Sequence, residues 1–108
     1  MNDTTATLEQ LKLLTKKFCD ERNWEHLNTP KNLSSSIAAE AGELMEIFTW
    51  IDGEQALTVL EENRMDVEHE LADILMGVLA FAYMHNVDLT AVYERKLKLT
   101  ALKYPINK

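Results

Sequence analysis

The sequence predicts an all-α domain, four main helices in a bundle that a second subunit completes. Three observations lead there. Only three Gly and two Pro punctuate 108 residues of which 46% are hydrophobic, so turn signals are scarce and the composition leans toward helix. Apolar residues recur at three- and four-residue spacing through several long segments. A chain of this length also buries a smaller share of its surface than a longer one, which makes burial against another copy an effective source of stability. One domain, 1–108, accounts for the whole length.

The first helix is expected over residues 8–24, where Leu8, Leu11, Leu14 and Phe18 share a face and Lys12, Lys16 and Lys17 lie between them. Pro30 disfavours helix at Thr29 and marks a connection. A second helix starts near residues 31–34, capped by Asn32 or a serine, and runs to about Trp50, where Asp52-Gly53 closes it. Residues 54–62 suit a short helix, followed by the polar cluster Glu61-Glu62-Asn63-Arg64. Asp66 is placed to cap a third long helix, 67–85, whose apolar residues Leu71, Ile74, Leu75, Val78, Leu79, Phe81 and Ala82 occupy most of its circumference, as suits the middle of a bundle. Asp88 is placed to cap a final helix from Leu89 toward Lys103, and Tyr104-Pro105 ends it.

Charge and anchors exclude some roles. With 11 basic against 18 acidic residues and a net charge of −7, the chain is a poor match for a nucleic-acid polymer, whose backbone needs clustered Lys and Arg. The first residues lack a basic region followed by an apolar run, so no secretory signal is expected. The apolar stretch 71–84 is interrupted by Asp73 and is too short to span a bilayer, so no membrane partner is expected either. The single cysteine, Cys19, reads as a structural helix residue, and a reducing cytoplasm is the expected location.

The chemistry concentrates in two acidic pairs. Glu40-Ala41-Gly42-Glu43 and Glu70-Leu71-Ala72-Asp73 each place two carboxylates at i and i+3, on one face of a helix. Ile37, Ala38, Ala39 and Leu44 surround the first pair, and Leu71, Ile74 and Leu75 the second, so both pairs sit near faces expected to pack. Unpaired carboxylates there are costly unless protonated, matched by bases or bound to a cation. One such pair would read as surface acid in an acidic protein; two on adjacent apolar helices favour a site. Hard oxygen ligands without Cys, and without a His at the third position after either first Glu, suit Mg²⁺, with Mn²⁺ as the alternative, rather than zinc or a di-iron centre. Glu46 and Asp66 adjoin the quartet as an auxiliary ligand, a base or a cap.

The surroundings also suit a nucleotide. Trp50 falls seven residues after Glu43, roughly 10 Å along the helix, a span comparable to that from a phosphate to its base. An aromatic platform there would stack a base. Gly77, on the line of Asp73, leaves room either for a ligand or for a close helix contact.

The run Glu40-Ala41-Gly42-Glu43-Leu44-Met45-Glu46-Ile47-Phe48-Thr49-Trp50, followed by Glu70-Leu71-Ala72-Asp73, resembles the MazG-like nucleotide pyrophosphohydrolases, in particular their dCTP pyrophosphatase branch. The segments Phe18-Cys19-Asp20-Glu21-Arg22-Asn23-Trp24, Thr29-Pro30-Lys31-Asn32-Leu33, Val87-Asp88-Leu89 and Lys103-Tyr104-Pro105 extend the resemblance over nearly the whole chain. It implies an all-α bundle working as a homodimer or homotetramer, and hydrolysis of a (deoxy)nucleoside triphosphate to monophosphate and pyrophosphate, in the service of nucleotide-pool house-cleaning. It further implies metal ligation by Glu40, Glu43, Glu70 and Asp73, with Glu43 or Glu46 orienting the attacking water. Trp24 and Trp50 match base-pocket positions, Lys96 and Tyr104 match phosphate contacts, and Lys31 joins the substrate-binding set. Thr15, Gly77 and Thr100 stand where the relatives carry a histidine, a tyrosine and an asparagine, which implies weaker discrimination between bases.

Two other functions compete. One is a non-catalytic helical interaction module whose third helix pairs with a partner. The other is the same bundle acting on a different phosphoanhydride.

Overall fold

A computed structural model describes residues 1–107 as helices and turns, with no strand among them. The first helix, α1 (Leu8–Glu21), begins where Thr7 accepts a hydrogen bond from the Gln10 backbone N–H at 3.1 Å and Gln10 Oε1 accepts one from the Thr7 N–H at 2.8 Å. This reciprocal box satisfies two donors that the first turn would leave orphaned. α1 stops short of the predicted residue 24: Asn23 turns left-handed at φ 56°, and a single 3₁₀ turn, Glu25–Leu27, follows. Asparagine tolerates that conformation better than most residues.

α2 (Pro30–Phe48) is capped by Thr29, whose side chain accepts from the Asn32 N–H at 3.2 Å. The predicted cap, Asn32 or a serine, therefore lies inside the helix. Pro30 takes the first helical position, where its missing N–H costs nothing. α3 (Glu54–Glu62) is the short helix expected after Asp52-Gly53, and Gly53 has φ 57°. α4 (Arg64–Met84) starts three residues before the predicted boundary, so Asp66 lies in its first turn rather than capping it. A carboxylate there still favours the positive end of the helix. α5 (Leu89–Lys103) is capped by Asp88, which accepts from the Ala91 N–H at 3.1 Å, as expected.

α4 is the hub. It packs along α2 most extensively, against α1 next, and touches α3. Cys19 of α1, Leu33 of α2, and Val67, Leu79, Ala80 and Ala82 of α4 form the buried core. The α2–α4 contact is tightest at Gly77, where a Cβ would lie 2.7 Å from Ile37 Cγ1. Close helix packing, not ligand space, is thus the role of this glycine. Gly77→Ala is expected to destabilise the fold by about 1–2 kcal/mol, because overpacking outweighs the roughly 1 kcal/mol gained in helix propensity. A thermal melt would show this as a lower midpoint; an unchanged or raised midpoint would contradict the close contact.

α5 behaves differently. It leaves α4 at 108° and packs closely against no other helix among the described residues. The elbow is fixed by Asn86 at φ 55° and by Lys12 Nζ, which donates to the Val87 carbonyl at 2.9 Å across from α1. Leu8, Leu75, Val78, Leu89, Val92 and Tyr93 line an open apolar groove of about 590 Å³ between α4 and α5. The radius of gyration is 16.6 Å, against about 13 Å for a compact domain of this length. No single helix among the described residues is long and apolar enough to cross a membrane.

Candidate metal centre

The α2–α4 contact carries the acids with it. Glu40 and Glu43 project from α2 and Glu70 from α4, and each offers a carboxylate oxygen within 4.8 Å of the others. Glu40 Oε2 and Glu70 Oε2 are buried from water and have no hydrogen-bond partner. None of the ion pairs among the described residues reaches this cluster. Asp73 lies one turn beyond Glu70, half-buried and outside the tight trio, but near enough for its charge to act on Glu40 and Glu70.

Crowding like charges has a predictable effect on protonation. The adjoining Glu70 carboxyl, which Glu40 can bond only when one of the two is protonated, together with burial and the charges of Glu43 and Asp73, pushes Glu40 up from an ordinary 4.5 to about 7. Burial, aided by Glu43 and Asp73, raises Glu70 as well, while a proton on Glu40 that Glu70 can accept works the other way. Below about 7 the cluster therefore favours a proton on Glu40, in the place where a bound cation would relieve the same crowding. Oxygen-only donors and two buried oxygens lacking any donor fit a hard divalent cation.

No family model matches the chain. Over 103 residues it is 36% identical to dCTP pyrophosphatase 1 of Homo sapiens and 34% identical to the protein of the same name in Rattus norvegicus. Those alignments take in 94% of this chain and 61% of each relative, so the chain spans about three fifths of the length of the curated relatives it matches. The crystal structure of a pyrophosphatase from Archaeoglobus fulgidus superimposes with a TM-score of 0.87 at 33% identity, covering 98% of this chain and 99% of that one. The chain belongs to the MazG-like nucleotide pyrophosphohydrolases.

In this MazG-like chain the remaining predicted residues are dispersed. Glu46 is exposed on α2, rotated about 120° from Glu40 around the helix, and lies outside the trio. Trp50 lies past the end of α2, which stops at Phe48, so the expected unbroken helical line from Glu43 to Trp50 is not present. Its side chain is 92% exposed. Trp24 precedes the 3₁₀ turn, with its ring edge-on to Phe18 at 5.6 Å between centroids. Lys31 is exposed in the first turn of α2. Lys96 lines the apolar groove beside Leu75 and Tyr93, and Tyr104 caps the end of α5 under the Lys103 ammonium. The structure thus unites three of the four predicted ligands, sets the fourth beside them, and leaves Lys96 and Tyr104 on an arm. Thr15 Oγ1 is engaged by its own helix, donating to the Leu11 carbonyl at 2.9 Å. Asn28 and Tyr83, which join the loop after α1 to α4, carry no local sequence signal, because they are 55 residues apart.

Proposed function

We propose that the protein hydrolyses (deoxy)nucleoside triphosphates, dCTP or a broader deoxynucleotide set, to monophosphate and pyrophosphate with Mg²⁺, or Mn²⁺, at the Glu40–Glu43–Glu70–Asp73 quartet. The observation that carries this reading is the pair of buried, partnerless oxygens, Glu40 Oε2 and Glu70 Oε2, converging with Glu43. Bound there, Mg²⁺ would neutralise triphosphate charge and make a water nucleophilic near neutral pH. Glu43, the exposed member of the trio, or Glu46 orients that water and takes its proton. The water oxygen attacks the α-phosphorus, the bond to the bridging oxygen breaks, and pyrophosphate leaves. Trp50 and Trp24 supply apolar surface for the base. With Thr15 bonded to its own helix and Gly77 packed on Ile37, few fixed hydrogen bonds remain at those positions to reject a wrong base. The relatives' names support dCTP as one substrate, and nucleotide-pool house-cleaning in the cytoplasm is the role this activity would serve.

The decisive experiment measures pyrophosphate release from each common ribo- and deoxyribonucleoside triphosphate, with Mg²⁺ and with EDTA. Metal-dependent release ranks the bases. No release from any of them would favour the non-catalytic interaction module.

The working unit in this proposal is a homodimer or homotetramer. The protomer exposes 8702 Å², whereas a folded monomer of 12.4 kDa exposes about 6100 Å². Leu97, Leu102 and Tyr93 on α5 are all more than half exposed. A second copy seated on α5 and its groove would bury an area typical of obligate dimers. Introducing Leu97→Glu with Leu102→Glu is expected to shift the species seen by sedimentation to monomer and to lower the melting midpoint. A wild-type protein that sediments as a monomer would refute the oligomer.

A further inference from the structure

The loop that carries Trp24 is fastened on three sides. On α1, the Trp24 N–H donates to the Cys19 carbonyl at 3.0 Å. On α2, Asn32 Nδ2 donates to the Leu27 carbonyl at 2.9 Å. On α4, the Tyr83 hydroxyl accepts from Asn28 Nδ2 at 3.0 Å in a half-buried position. Within the loop, the Leu27 N–H returns to the Trp24 carbonyl at 2.8 Å and the Asn28 N–H to the Glu25 carbonyl at 3.1 Å, so residues 24–28 move as one short turn. The Tyr83 link differs from the other two because α4 is the helix that bears Glu70 and Asp73.

We propose that Tyr83, acting through Asn28, is a positioning residue that sets the place of the Trp24 platform relative to the metal-binding carboxylates. The proposal rests on the reading of Trp24 as part of the base site. A rigid helix connects the two places, and the Asn28 amide transmits the position of α4 to the turn. The phenol suits this task. Burial, and the Cys19 thiol beside it, push Tyr83 up to about 12, so the hydroxyl keeps its proton across the physiological range. Asn28 donates to the same oxygen and works in the opposite direction without reversing the shift. The ring and hydroxyl therefore form a constant anchor.

Tyr83→Phe removes the hydroxyl and keeps the ring. It is expected to raise KM for the triphosphate roughly three- to tenfold, in proportion to one lost hydrogen bond, with kcat retained. Asn28→Ala should give a similar rise, and the double variant should be no worse than either single one, as for two residues acting through one contact. Trp24→Ala separates the underlying reading from the proposal. A raised KM in Trp24→Ala with an unchanged KM in Tyr83→Phe would overturn the positioning role and leave Trp24 in the base site. An unchanged KM in Trp24→Ala would overturn both. Fluorescence provides a readout independent of turnover, since Trp50→Phe leaves Trp24 as the single tryptophan. In that background Tyr83→Phe should increase acrylamide quenching; unaltered quenching would overturn the proposal.

Discussion

Glu43→Gln should cut metal-dependent pyrophosphate release by at least about a hundredfold while leaving the helix content unchanged. Glutamine has the same shape, so packing on α2 is preserved, but the charge is lost. Outer-shell partners of metal ligands alone commonly cost about 10–100-fold when removed, and Glu43 stands in the trio itself. It is also the exposed member and one of the two groups assigned to the water. Circular dichroism and a pyrophosphate assay on the same sample provide the check. Wild-type turnover in this variant would dismiss the site, whereas lost helicity would leave the activity result without meaning. Asp73→Asn is expected to behave similarly but less severely, because Asp73 lies outside the 4.8 Å group.

The second large effect is on stability. In metal-free protein, Glu40 holds its proton up to about 7, whereas the unfolded chain releases it near 4.5. The native state thus binds more protons across that window, and its stability must fall as pH rises through it. The contribution is fully present below 4.5 and lost above about 7. On the proposed reading Mg²⁺ takes the place of the proton and should restore the melting midpoint at pH 8; a cation at a hundredfold excess over its dissociation constant contributes about 2.7 kcal/mol by linkage. Melting curves from pH 5 to 8, in EDTA and in Mg²⁺, should therefore diverge as pH rises. Parallel curves would mean that the cluster does not bind the ion. Glu40→Gln should flatten the EDTA curve, raise its alkaline end and weaken the response to Mg²⁺.

The parts of this protein legible in its sequence are those set by local rules. Helical periodicity located α1, α2, α4 and α5, and Asp88 capped as a short acidic side chain before a helix should. The i, i+3 spacing put each acid pair on one face, and adjacency of the two apolar helices brought Glu40, Glu43 and Glu70 together. Boundaries failed where two residues were equally suited. Thr29 rather than Asn32 capped α2 because Pro30 preorganises the first turn directly after it, and Asp66 lost the cap when α4 began at Arg64. Contacts between distant segments left no local trace. The Lys12 ammonium on the Val87 carbonyl fixes where α5 departs, and nothing in the α5 pattern indicates that Leu97, Leu99 and Leu102 stay exposed. For that reason Lys96 and Tyr104 could be matched to a role but not to a place.

The bare backbone at position 77 works as a spacer for the carboxylate cluster. Ile37 is one turn before Glu40 on α2, and Gly77 is one turn after Asp73 on α4, so their contact sets the span that the opposing carboxylates must bridge. Oxygen distances around Mg²⁺ are about 2.0–2.1 Å and those around Ca²⁺ about 2.3–2.6 Å, a difference smaller than the displacement one extra methyl group would impose. Residues 37 and 77 therefore share a single volume, and enlarging one without trimming the other would part the two acid pairs and, on the proposed reading, favour a wider cation.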